Sequence, residues 1–204
     1  SDSPRLEQLL MRMPRVHSLD LFIIQSGLSW SVSRLLTFML LLGAGAVILV
    51  LILPLPWRLA LIAGPLAACL PVLYVMRRRR RRLAQLERQL PEAADMIARA
   101  LRAGHAFTGA IEMDGDEMSA PIGGEFHIMF DEINYGVSLN DALLNLATRV
   151  PVADLRYFII AVMIQRESGG NLAEIMGNIA ELTRERLKLY EKIKVLSAEG
   201  RLSA

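Results

Sequence analysis

Cysteine and lysine are scarce in this sequence of 204 residues. A single cysteine, Cys69, excludes a disulfide within the chain and a metal site built from several thiolates. The lysines are Lys188, Lys192 and Lys194, and none stands in a G-x-x-x-x-G-K-S/T motif, which excludes a P-loop for ATP. The sequence also lacks the G-x-S-x-G, H-E-x-x-H and G-x-G-x-x-G motifs of hydrolases, zinc proteases and dinucleotide-binding enzymes.

Histidine is also rare, and no nucleophile, base and orienting group come together in the sequence. Four acidic residues share a short stretch near His105: Glu112, Asp114, Asp116 and Glu117. A metal site is one interpretation of this stretch, but the spacing of Asp114 and Asp116 does not match a calcium-binding loop. We favour a solvated acidic face. We therefore expect no enzyme activity, no cofactor and no metal.

Charge is missing from two long stretches. Residues 35–53 are nineteen residues without a charge, residues 59–76 are eighteen, and residues 54–58 separate the two stretches. An α-helix rises ~1.5 Å per residue, so each stretch is roughly 27–29 Å long, close to the ~30 Å hydrocarbon core of a bilayer. We predict a transmembrane helical hairpin over residues 35–76. The alternative is a buried pair of helices in a soluble core.

A block of arginines, residues 77–82, follows the second stretch directly: Arg77, Arg78, Arg79, Arg80, Arg81 and Arg82. Arg34 precedes the first stretch, whereas the turn between the stretches holds only Arg58. Basic flanks stay in the cytoplasm, so we expect both ends of the hairpin to be cytoplasmic. The block would then lie against anionic lipid headgroups. A docking strip for an acidic partner is the alternative role.

Residues 1–34 form a basic, amphipathic juxtamembrane segment with Arg5, Arg12 and Arg15 interleaved among apolar residues. Such a segment lies in the membrane interface or packs on the domain that follows. Residues 1–82 hold eleven arginines against three acidic residues, whereas residues 83–204 hold twelve Lys and Arg against eighteen Asp and Glu. The acidic C-terminal part is a poor candidate for binding nucleic acid.

Residues 83–204 show helical periodicity and no strand pattern. Pro91 interrupts the first apolar stripe, and we expect it to start a new helix. A pattern of glycine followed by apolar residues recurs three times, at Gly104, Gly136 and Gly169-Gly170. Glycine takes the left-handed conformation that ends a helix, so the repeat predicts helices joined by glycine turns. Ser138, after the second of these turns, resembles a capping box with Asp141 and predicts a helix start there. A helical bundle explains this best, with a solenoid as the alternative.

The last predicted helix is the longest. Asn171 is a favourable N-cap, and Glu174 follows it by three residues. From Leu172 to Leu196 apolar residues alternate at spacings of three and four, and Arg186 is the one break in this heptad seam. The C-terminal half of the helix packs on a partner helix or leads back to the membrane. A long edge helix of the same bundle is the alternative.

Several motifs of the chain occur together. They are LPEAADMI at 90–97, RALRAGH at 99–105, Pro121, EF at 125–126, YGVSL at 135–139, QRESGGNLAEI at 165–175 and RER at 184–186. With them the chain resembles the type II secretion F-domain family, and within it the TadB-like branch of tight-adherence pilus assembly proteins. The resemblance covers residues 83–204 and the preceding hairpin. Residues 197–204 look like the family's approach to a further membrane span, so we expect that a C-terminal membrane segment is missing here.

The resemblance implies an all-α inner-membrane platform protein of a Tad or type IV-like pilus, or of a type II secretion machine, with a cytoplasmic six-helix bundle. The implied partners are a cytoplasmic hexameric ATPase, the sister platform protein TadC, pilin subunits and membrane lipids, but no nucleic acid. An oligomer is also implied. The platform would couple the ATPase to the extraction and assembly of pilin.

The residues of the helix turns are the candidate partner-binding or structural motif: Glu167, Gly169, Gly170, Asn171, Gly104 and Gly136. Glu167 is either a contact for the motor or a carboxylate that ends its helix, and we favour the structural role. The alternative function is a membrane-anchored helical adaptor or signalling protein without an ATPase partner. A transporter has little support, because Thr37, Cys69 and Tyr74 are the polar candidates within the spans.

Overall fold

The computed structural model describes residues 21–28, 30–53, 57–168 and 170–202, and this part of the chain contains helices and turns but no strand. The predicted all-α fold is confirmed. The helices are α1 (Val32–Ile52), α2 (Ala60–Arg102), α3 (Phe107–Glu117), α4 (Ile122–Asn134), α5 (Leu139–Arg149), α6 (Ala153–Ser168) and α7 (Leu172–Leu202), and a short 3-10 helix covers Trp57–Leu59. The chain divides into two compact units, Ser1–Arg82 and Leu83–Ala204.

The first unit holds α1 and the apolar part of α2, and both helices are long and apolar enough to cross a membrane. α1 has 21 residues, which is a length of about 30 Å. Leu40 in α1 is 71% exposed and Ile52 is 75% exposed. A helix in a soluble core would hide such side chains. The exposure therefore favours lipid around the hairpin over a buried pair of helices.

Small residues let α1 and α2 approach each other closely. A Cβ atom at Gly43 would lie 3.4 Å from the Cβ of Ala68, and one at Gly64 would lie 2.8 Å from Cγ2 of Val47. Lipid tails are as apolar as leucine, so helix association in a membrane depends on close packing of this kind. The two glycines therefore mark the contact between the helices of the hairpin.

A short helix over residues 21–26 packs on the hairpin. Its Ile23 forms a small buried core with Leu35 of α1 and Val75 of α2. Trp30 stacks on Phe38 with ring centroids 5.3 Å apart. The rest of the predicted juxtamembrane segment, residues 1–20, lies outside the described residues.

α2 continues without a break from Ala60 to Arg102. The expectation that Pro91 starts a new helix is therefore wrong. Proline has the helical φ angle and removes one backbone hydrogen bond, so a helix that is held by packing can pass through it. Pro91 is buried, and its neighbours Leu90 and Ala93 belong to the core of the second unit. This packing keeps the helix intact.

The second unit contains the C-terminal part of α2 together with α3 to α7. These six helices enclose one hydrophobic core. Its largest fully buried side chains come from all six: Leu90, Ile97, Ile111, Phe126, Met129, Leu143, Leu146, Phe158 and Met176. Most of these residues belong to the apolar stripes that the sequence shows, since helical spacing places such residues on one face.

Two of the predicted glycine turns have left-handed backbone, with φ at +91° for Gly104 and +93° for Gly136. After each glycine the next backbone N–H bonds back across the helix end. His105 N donates to the carbonyl of Ala100 at 3.1 Å, and Val137 N donates to that of Glu132 at 3.0 Å. This is the Schellman arrangement that ends a helix at glycine.

The third turn differs from the other two. Gly169 lies outside the described residues, and Gly170 does not have a left-handed φ angle. A side chain at position 170 would collide with the amide group of Gln165. The Gln165 side chain is flexible and can move away from an added Cβ, so this contact does not explain glycine at 170, whereas the backbone conformation explains glycine at 104 and 136.

Both predicted helix caps are present. The Ser138 hydroxyl accepts the backbone N–H of Asp141 at 3.1 Å and begins α5. The Asn171 side-chain oxygen accepts the backbone N–H of Glu174 at 3.3 Å and begins α7. Each cap satisfies one of the four unpaired N–H groups at a helix start.

The heptad seam of the last helix is not its buried face. The buried residues of α7 are Ala173, Met176, Ala180 and Thr183, one position further along the chain than the seam. From Leu182, which is 66% exposed, the apolar residues of the seam face outward. Small residues at 173 and 180 let the helix approach the core more closely than the larger seam residues would.

Replacing Gly136 with alanine is predicted to lower the free energy of unfolding by about 1 kcal/mol, because a side chain is strained in the left-handed region. No atom lies within 4 Å of the added Cβ, so the effect reports the backbone alone. The measurement is thermal unfolding of the full chain in nanodiscs, followed by circular dichroism.

Gly124 provides the matched control, since it has equal open space but lies inside α4. Gly124→Ala is expected to raise the unfolding free energy by up to about 1 kcal/mol, because alanine is the better helix former. Equal effects of the two substitutions would contradict this explanation of Gly136.

Candidate functional site

Side-chain contacts establish how α4 and α5 run. Arg149 near the end of α5 binds Glu125 near the start of α4, with 2.8 Å between Nε and Oε2. Asn145, earlier in α5, donates to Glu132, later in α4, at 3.3 Å. The two helices are therefore antiparallel.

α2 and α7 are antiparallel for the same reason. Asp95 of α2 binds Arg184 of α7 at 3.2 Å, and Arg102 at the end of α2 lies 4.0 Å from the Cβ position of Gly177, closer to the start of α7. α4 begins beside the middle of α2, where Gln89 accepts the N–H of Ile122 at 3.3 Å.

The approach of Arg102 to Gly177 brings the turn at Gly104 and the start of α7 to one end of the second unit. We infer that the turn at Gly136 lies at the same end, because α4 begins farther from that end, beside Gln89. α2 ends there before Gly104, α4 ends there before Gly136, and α7 begins there after Gly170. We call this surface the glycine end. It carries Tyr135, which is 89% exposed although it is a large aromatic side chain. Tyrosine is one of the residue types enriched at the hot spots of protein interfaces.

Four of the six predicted site residues lie at the glycine end. Gly104, Gly136, Gly170 and Asn171 lie at its three turns. Glu167 lies in the last turn of α6, but its side chain and Gly169 fall outside the described part of the chain. The sequence analysis missed Tyr135 as a site residue. The available signal was an aromatic residue directly before a turn glycine, where it has no core to enter.

Buried carboxylates tie the helices of the second unit to each other. Glu125 is 3% exposed and shares Arg149 with Glu132, which accepts from Nη1 at 2.7 Å. Asp154 of α6 is also buried and is paired with Arg186 of α7, the residue that breaks the heptad seam. Breaking the buried Glu125–Arg149 pair would leave an uncompensated charge and is strongly unfavourable, so this pair holds α4 and α5 in register. The Asp154–Arg186 pair is a weaker link, because its arginine is exposed.

The arginine block of the first unit has two faces. Arg79 donates to Oε1 of Gln25 at 2.8 Å and lies 5.3 Å from the ring centroid of Phe22. Arg82 donates to the backbone carbonyl of Gln25 at 3.3 Å. Arg78 donates to the hydroxyl of Tyr74 at 3.2 Å. The face that Arg79 and Arg82 form therefore holds residues 22–25.

The other face of the arginine block points away from these contacts. Arg77, Arg80 and Arg81 are exposed. Their charges remain available to anionic groups outside the chain, and each is worth about 1 kcal/mol near an anionic membrane surface.

Asp114 departs from the expected solvated acidic face. Its neighbours Glu112, Asp116 and Glu117 are exposed, but Asp114 is only 1% exposed. Neither carboxyl oxygen has a hydrogen-bond partner among the described residues. Burial and, to a smaller extent, the charge of Glu117 raise the pKa of Asp114 to about 8, although the charge of Arg99 lowers it. The expectation was wrong because helical spacing turns position 114 toward α2.

The described residues contain no group of three or more His, Cys, Asp and Glu side chains that is arranged to hold a metal ion. His127 pairs with Asp116 at 3.4 Å on the outer side of α3.

Asp114 is predicted to make stability fall with rising pH. The folded protein keeps a proton on Asp114 up to about pH 8, whereas the unfolded chain loses it near the model-peptide value of 3.8. The unfolded state thus binds fewer protons in this window, and the free energy of unfolding decreases from about pH 4 to pH 8. Asp114→Asn cannot ionise and is expected to remove this part of the slope and to be the more stable form at pH 8 by more than about 1 kcal/mol.

Thermal unfolding of the full chain in nanodiscs at several pH values measures the slope. Asp116→Asn, on an exposed neighbour, is the control and is expected to keep the wild-type slope. A wild-type slope in Asp114→Asn would show that Asp114 is not protonated in the folded protein.

Comparison with known proteins gives one family. A sequence model described as type II secretion system protein F matches residues 93–204. No curated protein and no solved structure matches the chain. The matched residues cover more than half of the chain and nearly all of the six-helix unit. The chain therefore belongs to the protein F family of type II secretion systems, whose members are structural platform proteins of secretion and type IV pilus-type machines.

Proposed function

We propose that this protein is an inner-membrane platform of a tight-adherence or type IV-like pilus, or of a type II secretion machine, and that it couples a cytoplasmic hexameric ATPase to the extraction and assembly of pilin subunits. The observation that carries the proposal is the family match over residues 93–204 in a chain with two apolar helices of membrane-spanning length. Family members generally interact with ATPases and other components of the secretion system.

The hairpin supplies the anchor. Both of its ends are cytoplasmic in this proposal, because Arg34 and the block of residues 77–82 flank it while Arg58 alone lies in the turn. This topology gives the domain at 83–204 access to a cytoplasmic motor. The exposed arginines of the block bind anionic lipid and keep the ends of the hairpin at the membrane surface.

The second unit supplies a body that transmits force. A motor that pushes on one helix moves the others only if the helices keep their register. The Glu125–Arg149 pair fixes α4 against α5, and the Asp154–Arg186 pair fixes α6 against α7. Arg184 joins α7 to α2 through Asp95. These cross-links, together with the shared core, favour a rigid unit over a flexible adaptor.

The glycine end is the proposed grip for the ATPase. It gathers Gly104, Gly136, Gly170 and Asn171, with Glu167 in the preceding turn, and it exposes Tyr135. Exposed aromatic residues provide contact area at a low cost in conformational entropy. The glycine turns set the helix geometry there, and Tyr135 is the anchor that we assign to the contact.

Apolar surface outside the core is assigned to the remaining partners. Leu189, Ile193 and Leu196 are exposed on α7. In the proposal this stripe meets the sister platform protein TadC. The exposed faces of α1 and α2 meet lipid, TadC and pilin subunits. Contacts of this kind make the platform part of an oligomer.

The test is binding and turnover of the cognate ATPase with the full chain in nanodiscs. We expect saturable binding and altered ATP hydrolysis. Tyr135→Ala is expected to weaken binding by at least about tenfold, since truncating an interface hot spot costs ~2 kcal/mol or more. Glu167→Lys, at the same end, is expected to reduce binding and to stop pilus assembly while the protein stays in the membrane.

Tyr157→Ala is the matched control. Tyr157 is also a well exposed tyrosine, but it lies at the start of α6, at the opposite end of the second unit. This variant should bind like the wild type. Absence of ATPase binding, even with TadC present, would contradict the motor-platform function and favour the adaptor. Equal losses in both tyrosine variants would contradict the glycine end as the grip.

A further inference from the structure

A pocket of about 240 Å³ lies between α2 and α3. Met96 and Ala100 from α2 and Met113 from α3 form the apolar part of its wall, and Arg99 and His105 also line it. Asp114 and Glu117 of α3 also line it. The volume is below the ~300 Å³ at which pockets for drug-sized ligands begin. The pocket is therefore sized for a single side chain.

Asp114 is the feature of this pocket that its own chain does not explain. The residue is 99% buried, and neither of its oxygens has a hydrogen-bond partner within the described ranges. Buried polar groups are almost always hydrogen-bonded, and an unsatisfied one costs free energy. A partner molecule that supplies hydrogen-bond donors to Asp114 would explain why its carboxyl group has none among the described residues.

The charges around the pocket define the donor. Glu117 adds a second carboxylate, and the lining cation, Arg99, is paired with Asp95 outside the pocket at 3.3 Å. His105 lines the pocket and is exposed. From α4, His127 faces Gly115 and pairs with Asp116, away from the pocket. Acidic groups are thus in excess, and an anion is disfavoured.

An arginine side chain matches this arrangement best. Its methylene stem suits methionine and alanine walls, and its planar guanidinium group carries several N–H donors for carboxylates. Guanidinium is also more weakly hydrated than ammonium, so it enters a desolvated site more readily than lysine does. An apolar ligand would leave the oxygens of Asp114 unsatisfied.

We propose that this pocket receives an arginine side chain of a partner protein, with the guanidinium group on the carboxylates of Asp114 and Glu117. Met96 and Met113 move aside as the stem enters, because thioether side chains adapt readily. The inference is independent of the ATPase proposal, since no motor enters its test.

Binding in this way is coupled to a proton. Asp114 must lose its proton to accept the guanidinium group, and burial raises its pKa to about 8. Affinity is therefore expected to fall about tenfold for each pH unit below 8. A site that holds its ligand through exposed carboxylates alone would show no such fall between pH 8 and pH 6.

The experiment uses the full chain in nanodiscs with ¹³C-methyl-labelled methionine, and the probe is N-acetyl-arginine amide. Saturable shifts are expected at the methyl groups of Met96 and Met113. The neutral isostere N-acetyl-citrulline amide should leave them unshifted. Asp114→Asn should abolish the arginine response, and Glu117→Gln, on an exposed residue that is not needed for folding, should weaken it several-fold. Asp116→Asn should respond like the wild type.

Three results would overturn the inference: equal shifts with arginine and citrulline probes, an unchanged response in Asp114→Asn, or an affinity that does not fall from pH 8 to pH 6. Free L-arginine provides a further arm. Tighter binding of free arginine than of the capped residue would assign the pocket to a small guanidino compound and would overturn the partner-protein assignment.

Discussion

The absence of water inside a bilayer is the constraint on which the first unit depends. Backbone groups there must be satisfied within the chain, so the spans are helices. Hydrophobic burial cannot bring two such helices together, because lipid is equally apolar. The contact is instead steric, at Gly43 and Gly64, where the backbones approach closely. Residues 22–25 then bind to Arg79 and Arg82, where the apolar part of α2 ends.

In the second unit, unlike in the membrane spans, the burial of apolar side chains away from water can hold the helices together. A shared apolar core joins six helices, and buried ion pairs fix which helix lies beside which. Such pairs are weak evidence for stability but are well suited to holding register. Left-handed glycines end α2 and α4, and we infer that both turns lie at the same end of the bundle. The result is one end rich in turns that displays Tyr135, separate from a core that accounts for the fold.

Local chemistry explains which features could be predicted from the sequence. The lengths of the charge-free stretches predicted α1 and the apolar part of α2. Ser138 and Asn171 predicted the starts of α5 and α7, and Gly104 and Gly136 predicted the ends of α2 and α4. Each of these signals depends on residues that are close in sequence, so contacts with distant parts of the chain do not change the local structure it predicts.

Features set by distant contacts could not be predicted in this way. Pro91 remains inside α2 because the core holds both flanks of the helix. The buried face of α7 is displaced from its heptad seam because small residues allow closer packing. Asp114 looked like one of several solvated acids, and only the position of α2 shows that it is buried. The candidate site could be predicted in part, because its glycines form turns that the sequence shows. Tyr135 could not be predicted, because its role depends on which turns share one end of the unit.

The proposed platform function depends most directly on the orientation of the hairpin, because a platform can meet a cytoplasmic motor only if residues 83–204 are cytoplasmic. The direct measurement is labelling of single cysteines by a membrane-impermeant maleimide in spheroplasts, in a Cys69→Ser background. Arg58→Cys and Ala84→Cys place an exposed thiol in the turn and after the arginine block. The proposed topology predicts that Arg58→Cys reacts in intact spheroplasts and that Ala84→Cys reacts only after the membrane is opened. Labelling of Ala84→Cys in intact spheroplasts would contradict it.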